Sequence, residues 1–331
     1  MSDSFRRFLP DGAPRLDRFL ADCYPEPGRS RWTAWVRSGQ VKVDGEVVVK
    51  AGIRIRSGAT VETCMPPIVV SASNIFPENI DLPTIFEDEH LWVINKPAGI
   101  VVHPSPGHSS GTVLNALLWR LGNETVAAKP TFDDGCRVIV DSIWPGLVHR
   151  LDRYTTGCLT MAKDVDSQRD LQLQFKNRTV KKRYLALVRM SRKLPEIGFV
   201  QINKPIARHK NNRLRMAVSA SGRPSQTRIR TLAQACGLAL VECELLTGRT
   251  HQIRLHLSHL DAPILGDSLY GGASSWLDAD RRTFDCLHPM LHAWKLSINH
   301  PCDGHHMSFT APLPVVYKKI LADLGIAITC A

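Results

Sequence analysis

The sequence predicts a mixed α+β protein in two parts: a short helix–helix–strand module, then a larger α+β domain. Three observations carry that expectation. The chain has 331 residues, enough for one large or two ordinary domains. Hydrophobic residues make up 44% and charged residues 22%, the globular range, which argues against disorder and coiled coil. Composition shifts at Cys64 to Pro83, which is rich in Pro, Ser and Asn and reads as an extended linker. The uncharged apolar stretch Cys64 to Pro77 is broken by Pro66, Pro67, Ser71, Ser73 and Asn74, so no membrane span is expected there. Met1 to Pro10 lacks the apolar core of a secretion signal, so a cytoplasmic protein is expected.

The first module justifies itself element by element. Leu16, Phe19, Leu20 and Cys23 fall at helical spacing, and Pro25 to Gly28 stops that helix. Ser30 is a suitable N-cap for a second helix with Trp32, Trp35 and Val36 inward, ending at Gly39. Short strands follow: Val41 to Val43, a tight Asp44-Gly45 turn, then Glu46 to Val49. Ile53 and Ile55 alternate with Arg54 and Arg56, and a last strand lies near Val61.

After Pro83, Leu91 to Ile94 reads as a buried strand and Asn95 to Gly99 as a turn, with Ile100 to His103 continuing. Thr112 is placed to cap a helix over Val113 to Leu121, with Leu114, Leu117, Leu118 and Leu121 on one face. Residues 122 to 145 give no regular pattern. No internal repeat is evident.

Charge is more informative once located. From Lys176 to Arg230 there are sixteen Lys/Arg against the single Glu196, a net +15 in a chain of +11, so the remainder sums to −4. That run contains strand-like stretches, Tyr184 to Val188 and Arg228 to Leu232, and is therefore a folded surface. A one-sided basic surface on an otherwise slightly acidic chain points to a polyanion, most plausibly nucleic acid. The nine cysteines include no CxxC pair and read as reduced thiols. Cys286, His288, His292, His300, Cys302, His305 and His306 cluster in sequence, but their spacing fits no zinc template, so no metal is expected.

Three stretches carry chemistry. In Gly146-Leu147-Val148-His149-Arg150-Leu151-Asp152-Arg153-Tyr154-Thr155-Thr156-Gly157, Asp152 lies between two arginines, which favour its ionised form. Local chemistry leaves a second reading open, in which Asp152 only caps the turn at Thr155 or Thr156 N–H. In Leu246 to His256, a Gly turn delivers Arg249 at a strand-to-helix junction, with Arg254 five residues on; a surface ion pair is the alternative there. In Lys181 to Val188, Tyr184 enters a strand among cations, as stacking on an exposed base requires, although a core tyrosine is the commoner case.

Taken in order, these motifs resemble the RluA family of pseudouridine synthases over residues 82 to 316. Asn95-Lys96-Pro97-Ala98-Gly99, Leu265 to Gly272, Leu291-His292-Ala293 and His300-Pro301 extend the resemblance. Residues 13 to 75, through Arg15-Leu16-Asp17, Arg29-Ser30-Arg31 and Gly39 to Gly45, resemble an S4 RNA-binding module. The combination is similar to the RluD type, which acts on large-subunit ribosomal RNA. The resemblance implies a synthase domain over 82–331 with a mixed, mostly antiparallel sheet and flanking helices. It implies that Asp152 is catalytic, that Tyr184 stacks on the target base and moves a proton, and that Arg249 pairs with the aspartate. Arg150, Arg183 and Arg254, with Arg29 and Arg31 at a helix N-terminus, are expected to hold RNA. The expected reaction is isomerisation of uridine to pseudouridine with no cofactor. The expected partner is large-subunit ribosomal RNA or a ribosomal precursor particle, and the protein is expected to be a monomer. A transfer RNA substrate and a non-catalytic ribosome-assembly role are the alternatives. The stretches 129–144 and 274–289 read as variable loops where substrate choice would sit.

Overall fold

The computed structural model describes residues 4–8, 14–23, 29–64, 74–104, 108–122, 126–127, 130–133, 137–140, 146–212, 214–277 and 283–327. The chain divides into two units, residues 1–72 with 130–139, and residues 73–129 with 140–331.

In the first unit, α1 (Leu16–Cys23) and α2 (Arg29–Arg37) bring Leu16, Phe19, Leu20, Trp32 and Val36 into one core with Val41, Ile55 and Val61. An antiparallel sheet of four strands runs in the order Ser4–Phe8, Thr60–Cys64, Val41–Val43, Glu46–Val47. The strand Ser4–Phe8 had no sequence signal. Asp44 and Gly45 both take positive φ, +52° and +84°, as the tight turn between the short strands requires. Ser30 is not the N-cap: α2 already begins at Arg29, and residues 24–28, which include the expected Pro25–Gly28 stop, lie outside the described residues. The strand expected through Val49 ends at Val47, because Val47 and Val49 face solvent and gain nothing by pairing further.

A polar clamp joins the two helices. Arg15 Nε donates to Asp17 Oδ1 at 3.1 Å, and Arg29 Nη2 donates to Asp17 Oδ2 at 2.9 Å. Burial alone would raise the Asp17 carboxyl, but the hydrogen bonds from Arg15 and Arg29 outweigh it and hold Asp17 below the usual carboxylate range. Arg29 is half-exposed while it holds Asp17. The Arg31 side chain lies outside the described residues.

The second unit is built on one large sheet, nine-stranded among the described residues. Its path runs Val200–Asn203, Gln226–Ala235, Leu238–Leu245, Lys181–Arg189, Leu291–Asn299, Thr156–Ala162, Leu91–Lys96, Thr84–Glu87, with His306–Thr310, off this path, also paired to Leu291–Asn299. Every pairing is antiparallel except Thr156–Ala162 with Leu291–Asn299, which is parallel. Four helices accompany it: α3 (Val113–Arg120), α4 (Val165–Asn177), α5 (Gln252–His259) and α6 (Val315–Asp323). Thr112 caps α3 as expected, with a reciprocal capping box to Asn115. No described helix is long and apolar enough to cross a membrane.

Part of the expected linker is folded. Ile75 and Leu82 are buried, each contributing about 1.5–3 kcal/mol by leaving water. The Phe76 carbonyl accepts from Asn115 Nδ2 at 2.7 Å, which ties this stretch to α3. Ile100 to His103 does not continue a strand, because the chain turns at Gly99. The two stretches read as loops contain strand pairs, Pro130–Asp133 with Arg137–Val140 and Ser275–Leu277 with Thr283–Asp285.

The one parallel contact positions the site. Gly157 takes φ +109°, and a Cβ there would lie 2.2 Å from the Ala293 carbonyl oxygen. Only glycine lets the chain leaving residues 150–155 enter the sheet so close to its neighbour.

Candidate active site

Asp152 stands on the turn before the Thr156–Ala162 strand, and that turn is fixed from three sides. Thr155 N–H donates to the Asp152 carbonyl at 3.1 Å, so the backbone closes the turn and the carboxylate is released from that duty. His149 Nε2 accepts from Thr160 N–H at 2.9 Å, and its ring stacks on Phe175 at 4.7 Å. Burial and then the Lys182 charge push His149 down to about 3, so it is a neutral anchor. On the third side, fully buried Lys96 Nζ donates to the carbonyls of Pro97, Ile100 and Arg153 at 2.8, 2.8 and 3.0 Å. Burial pulls Lys96 down to about 7 while the Asp152 charge opposes it. Three carbonyl acceptors are what the three N–H donors of an ammonium need, and that geometry favours the charged form.

The Asp152 side chain is 22% exposed. Arg254 Nη1 donates to its Oδ2 at 3.2 Å, and His251 Nε2 lies 3.8 Å from the same oxygen. Among the described residues no hydrogen bond ends on Oδ1. Burial would raise the carboxyl, but His251, Arg254 and Arg150 outweigh it and hold Asp152 below the usual carboxylate range. Burial also lowers His251 below the usual histidine range, so near neutral pH the charges of Arg254 and Arg150, together with that of Lys96, act on Asp152.

Arg254 is held as firmly as it holds. Its Nε and Nη2 each donate at 2.7 Å to Asp267, a fork-to-fork pair on a buried carboxylate. Arg254, which was expected to hold RNA, thus touches Asp152, and its side chain is almost wholly enclosed. Arg249 is half-buried on the turn into α5, where its backbone N–H donates to Gln252 Oε1 at 3.0 Å. Gln252 Nε2 in turn reaches the Gln226 carbonyl and Thr227 Oγ1, both at 2.9 Å, which pins the Thr247–Gln252 turn to the sheet.

Tyr184 lies at a β-bulge, where Lys181–Arg189 shifts register against Leu291–Asn299 between Arg183 and Tyr184. A bulge re-aims the side chain it carries. The ring is 7% exposed, and burial first, then the charges of Asp152 and Cys158, raise the phenol well above its ordinary value. Tyr184 is therefore a neutral phenol within reach of the Asp152 field.

The basic segment is partly compensated. Arg183 Nη1 lies 3.5 Å from buried Glu242, Arg230 Nη2 lies 2.6 Å from it, and Arg228 Nη1 lies 2.9 Å from Glu244. Of the C-terminal histidines, His292 is a core residue: its Nε2 faces the Ala311 carbonyl at 3.2 Å, its Nδ1 faces Thr156 Oγ1 at 2.8 Å, and burial pushes it down to about 4. His300, Asp303 and His305 do meet, with Asp303 Oδ1 at 3.1 Å from His300 Nδ1 and 2.6 Å from His305 Nδ1, while Asp88 takes His300 Nε2 at 3.0 Å.

Sequence reasoning gave no role to Lys96, His251, Asp267 or Tyr270. All four lie inside motifs that carried the resemblance, but no local spacing relates them to Asp152.

Comparison with known proteins identifies the family. The family model for RNA pseudouridylate synthase matches residues 90–259. The chain is 37% identical to "Ribosomal large subunit pseudouridine synthase D" of Xanthomonas campestris, covering 96% of this chain and 91% of that protein. It is 40% identical to an RNA pseudouridine synthase of Chloroflexus aurantiacus, covering 94% and 90%. Among solved structures, human RNA pseudouridylate synthase domain containing 4 shares the fold, with a TM-score of 0.52 at 24% identity over 74% of this chain and 94% of that one. With its motifs, its sheet and near full-length relatives in agreement, the chain belongs to the RNA pseudouridine synthase family, whose members are RNA isomerases.

Proposed function

We propose that this chain isomerises specific uridines of large-subunit ribosomal RNA to pseudouridine, and that the reaction depends on Asp152. The observation that carries the reading is an ionised, partly accessible carboxylate that the described residues hold through Oδ2. The substrate follows from the name of the Xanthomonas relative. In this reading the C1′–N1 bond breaks, uracil rotates, a C1′–C5 bond forms, and the C5 proton is lost as N1 gains one. Nothing is consumed, so no cofactor enters. The target nucleotide must leave its stack to expose the glycosidic bond. Asp152 then attacks the sugar or removes a sugar proton, and either step needs an aimed anion. Tyr184 stacks on the uracil. As a neutral phenol it takes up the C5 proton only after giving up its own. Arg249 and Arg150 line the site.

Residues 13–75 serve as an S4 RNA-binding module through Arg29 and Arg31, and 82–331 form the synthase domain. Arg183 and the exposed cations of segment 176–230 hold phosphates. The protein works as a cytoplasmic monomer on ribosomal RNA or a precursor particle. The decisive experiment is a carbodiimide map of pseudouridine in large-subunit and transfer RNA with and without the gene, complemented by wild type or Asp152→Ala. Sites lost from large-subunit RNA and restored only by wild type support the reading. Loss confined to transfer RNA redirects it, and full restoration by Asp152→Ala leaves an assembly role instead.

A further inference from the structure

His251 has no part in the reading above, yet four features meet on it. It takes φ +54°, an uncommon left-handed conformation that histidine tolerates better than most residues, at the N-cap of α5. Its Nδ1 lies 2.8 Å from Tyr270 Oη. That hydroxyl already accepts Met216 N–H at 2.8 Å and is buried with Ile206 and Leu255, so its own proton has Nδ1 as acceptor. The ring proton then resides on Nε2, which points toward Asp152 Oδ2 at 3.8 Å, the oxygen that Arg254 also holds.

We propose that His251 is a positioning residue for Asp152: a neutral imidazole, locked by Tyr270 with its proton on Nε2, that joins Arg254 in fixing Oδ2 and leaves Oδ1 to meet the ribose. The proposal rests on the catalytic reading of Asp152. At 3.8 Å the N–H acts on the carboxylate as an oriented dipole, and such contacts commonly tighten when substrate closes the site. The charged and titratable groups around the ring are Asp152 and Arg150 on its turn, Arg254 on α5, and Asp267 and Tyr270 on the 267–270 segment. Burial, Arg254 and Arg150 disfavour the imidazolium, the two aspartates favour it, and the balance lies on the neutral side. Protonation of Nδ1 would turn the Tyr270 hydroxyl from donor to acceptor and break the lock.

The test uses the full-length protein and transcribed large-subunit RNA labelled at uridine C5, with release of the C5 hydrogen as readout. A slight misplacement of a reacting group costs up to about 100-fold in rate, so His251→Ala should lower kcat by roughly 30-fold and leave KM within about threefold. His251→Gln keeps an N–H donor and should recover to within about fivefold of wild type. Tyr270→Phe should lower kcat by about tenfold and move its acid limb to higher pH, because the ring loses the hydroxyl that reserves Nδ1. Independently of activity, histidine-ring nitrogen NMR of the wild type should show His251 with its proton on Nε2 at pH 7. An unchanged kcat in His251→Ala, an effect confined to KM, an unmoved acid limb in Tyr270→Phe, or a proton on Nδ1 each overturns the proposal. Asp152→Ala separates the two claims. Turnover retained there removes the reading of Asp152 itself, whereas loss there beside an unimpaired His251→Ala removes only the positioning role.

Discussion

Asp17 in the first unit and Asp152 in the second are both aspartates beside a turn or helix start, both held by arginine, and both kept below the usual carboxylate range. They differ in what is left over. Asp17 is 4% exposed, and both its oxygens are taken, Oδ1 by Arg15 and Oδ2 by Arg15 and Arg29. Asp152 is 22% exposed, and among the described residues its hydrogen bond and short ion-pair contacts end on Oδ2. The first arrangement exhausts the carboxylate in holding two helices together. The second restrains the group and keeps one oxygen available, which is what a reacting carboxylate requires. An ion pair by itself therefore does not single out a candidate site; an incompletely used one in a fixed frame is the stronger candidate.

The comparison breaks most readily at Asp152. Asp152→Asn should abolish C5-hydrogen release while leaving the melting temperature and RNA affinity near wild type, since little else depends on the free oxygen. Substantial residual turnover in that variant would end the distinction drawn here. Next in size is Arg254→Leu. It strands Asp267 buried and Asp152 half-buried without their cation, and removing one member of such a pair costs about 3–5 kcal/mol. Denaturant unfolding should register that loss, with activity falling in parallel.

Asp17→Asn should act on stability alone. Hydrogen bonds to a charged group contribute about 1.5–3 kcal/mol, so unfolding of the first unit should become easier by that order, with kcat unchanged. The sign with pH follows from the lowered carboxyl: its contribution is complete above the ordinary carboxylate range and is lost as pH falls through the depressed value. Wild type should thus lose protection of α1 from hydrogen exchange below about pH 4, and Asp17→Asn should lose less.

The smallest effects belong to the basic segment. Replacing exposed Lys204 or Lys210 by Gln should reduce the slope of log affinity against log salt by about one each. Arg230→Gln should act mainly on stability, because Glu242 beneath it is buried and would lose a 2.6 Å partner. Equal salt slopes for Lys204→Gln and wild type would detach this surface from RNA.

Much of this was legible before any coordinates. Helices α1 and α3, the Thr112 cap, the Asp44-Gly45 turn and the strands at Leu91 and Lys181 follow from apolar period and turn chemistry within a few residues. Motif order was enough for the family. Legibility failed where a partner is distant. Ser30 resembled a cap because the α2 boundary depends on Arg29 reaching Asp17, twelve residues back. Ile75 and Leu82 looked like linker because what orders this stretch lies far along the chain: Ile75 pairs with residue 126 and the Phe76 carbonyl accepts from Asn115.

The sequence by itself determined the α+β fold class and the family, and it singled out the stretch around Asp152 as the candidate site, since these reside in local period and ordered motifs. Only the tertiary structure decided that Arg254 touches Asp152, that Asp267 steadies Arg254, and that His251 and Tyr270 back the same oxygen. Asp152 and Arg254 are 102 residues apart in the chain. No spacing rule spans that distance; a parallel strand contact at Gly157 and a helix start at His251 do, by fixing where two separate turns place their side chains.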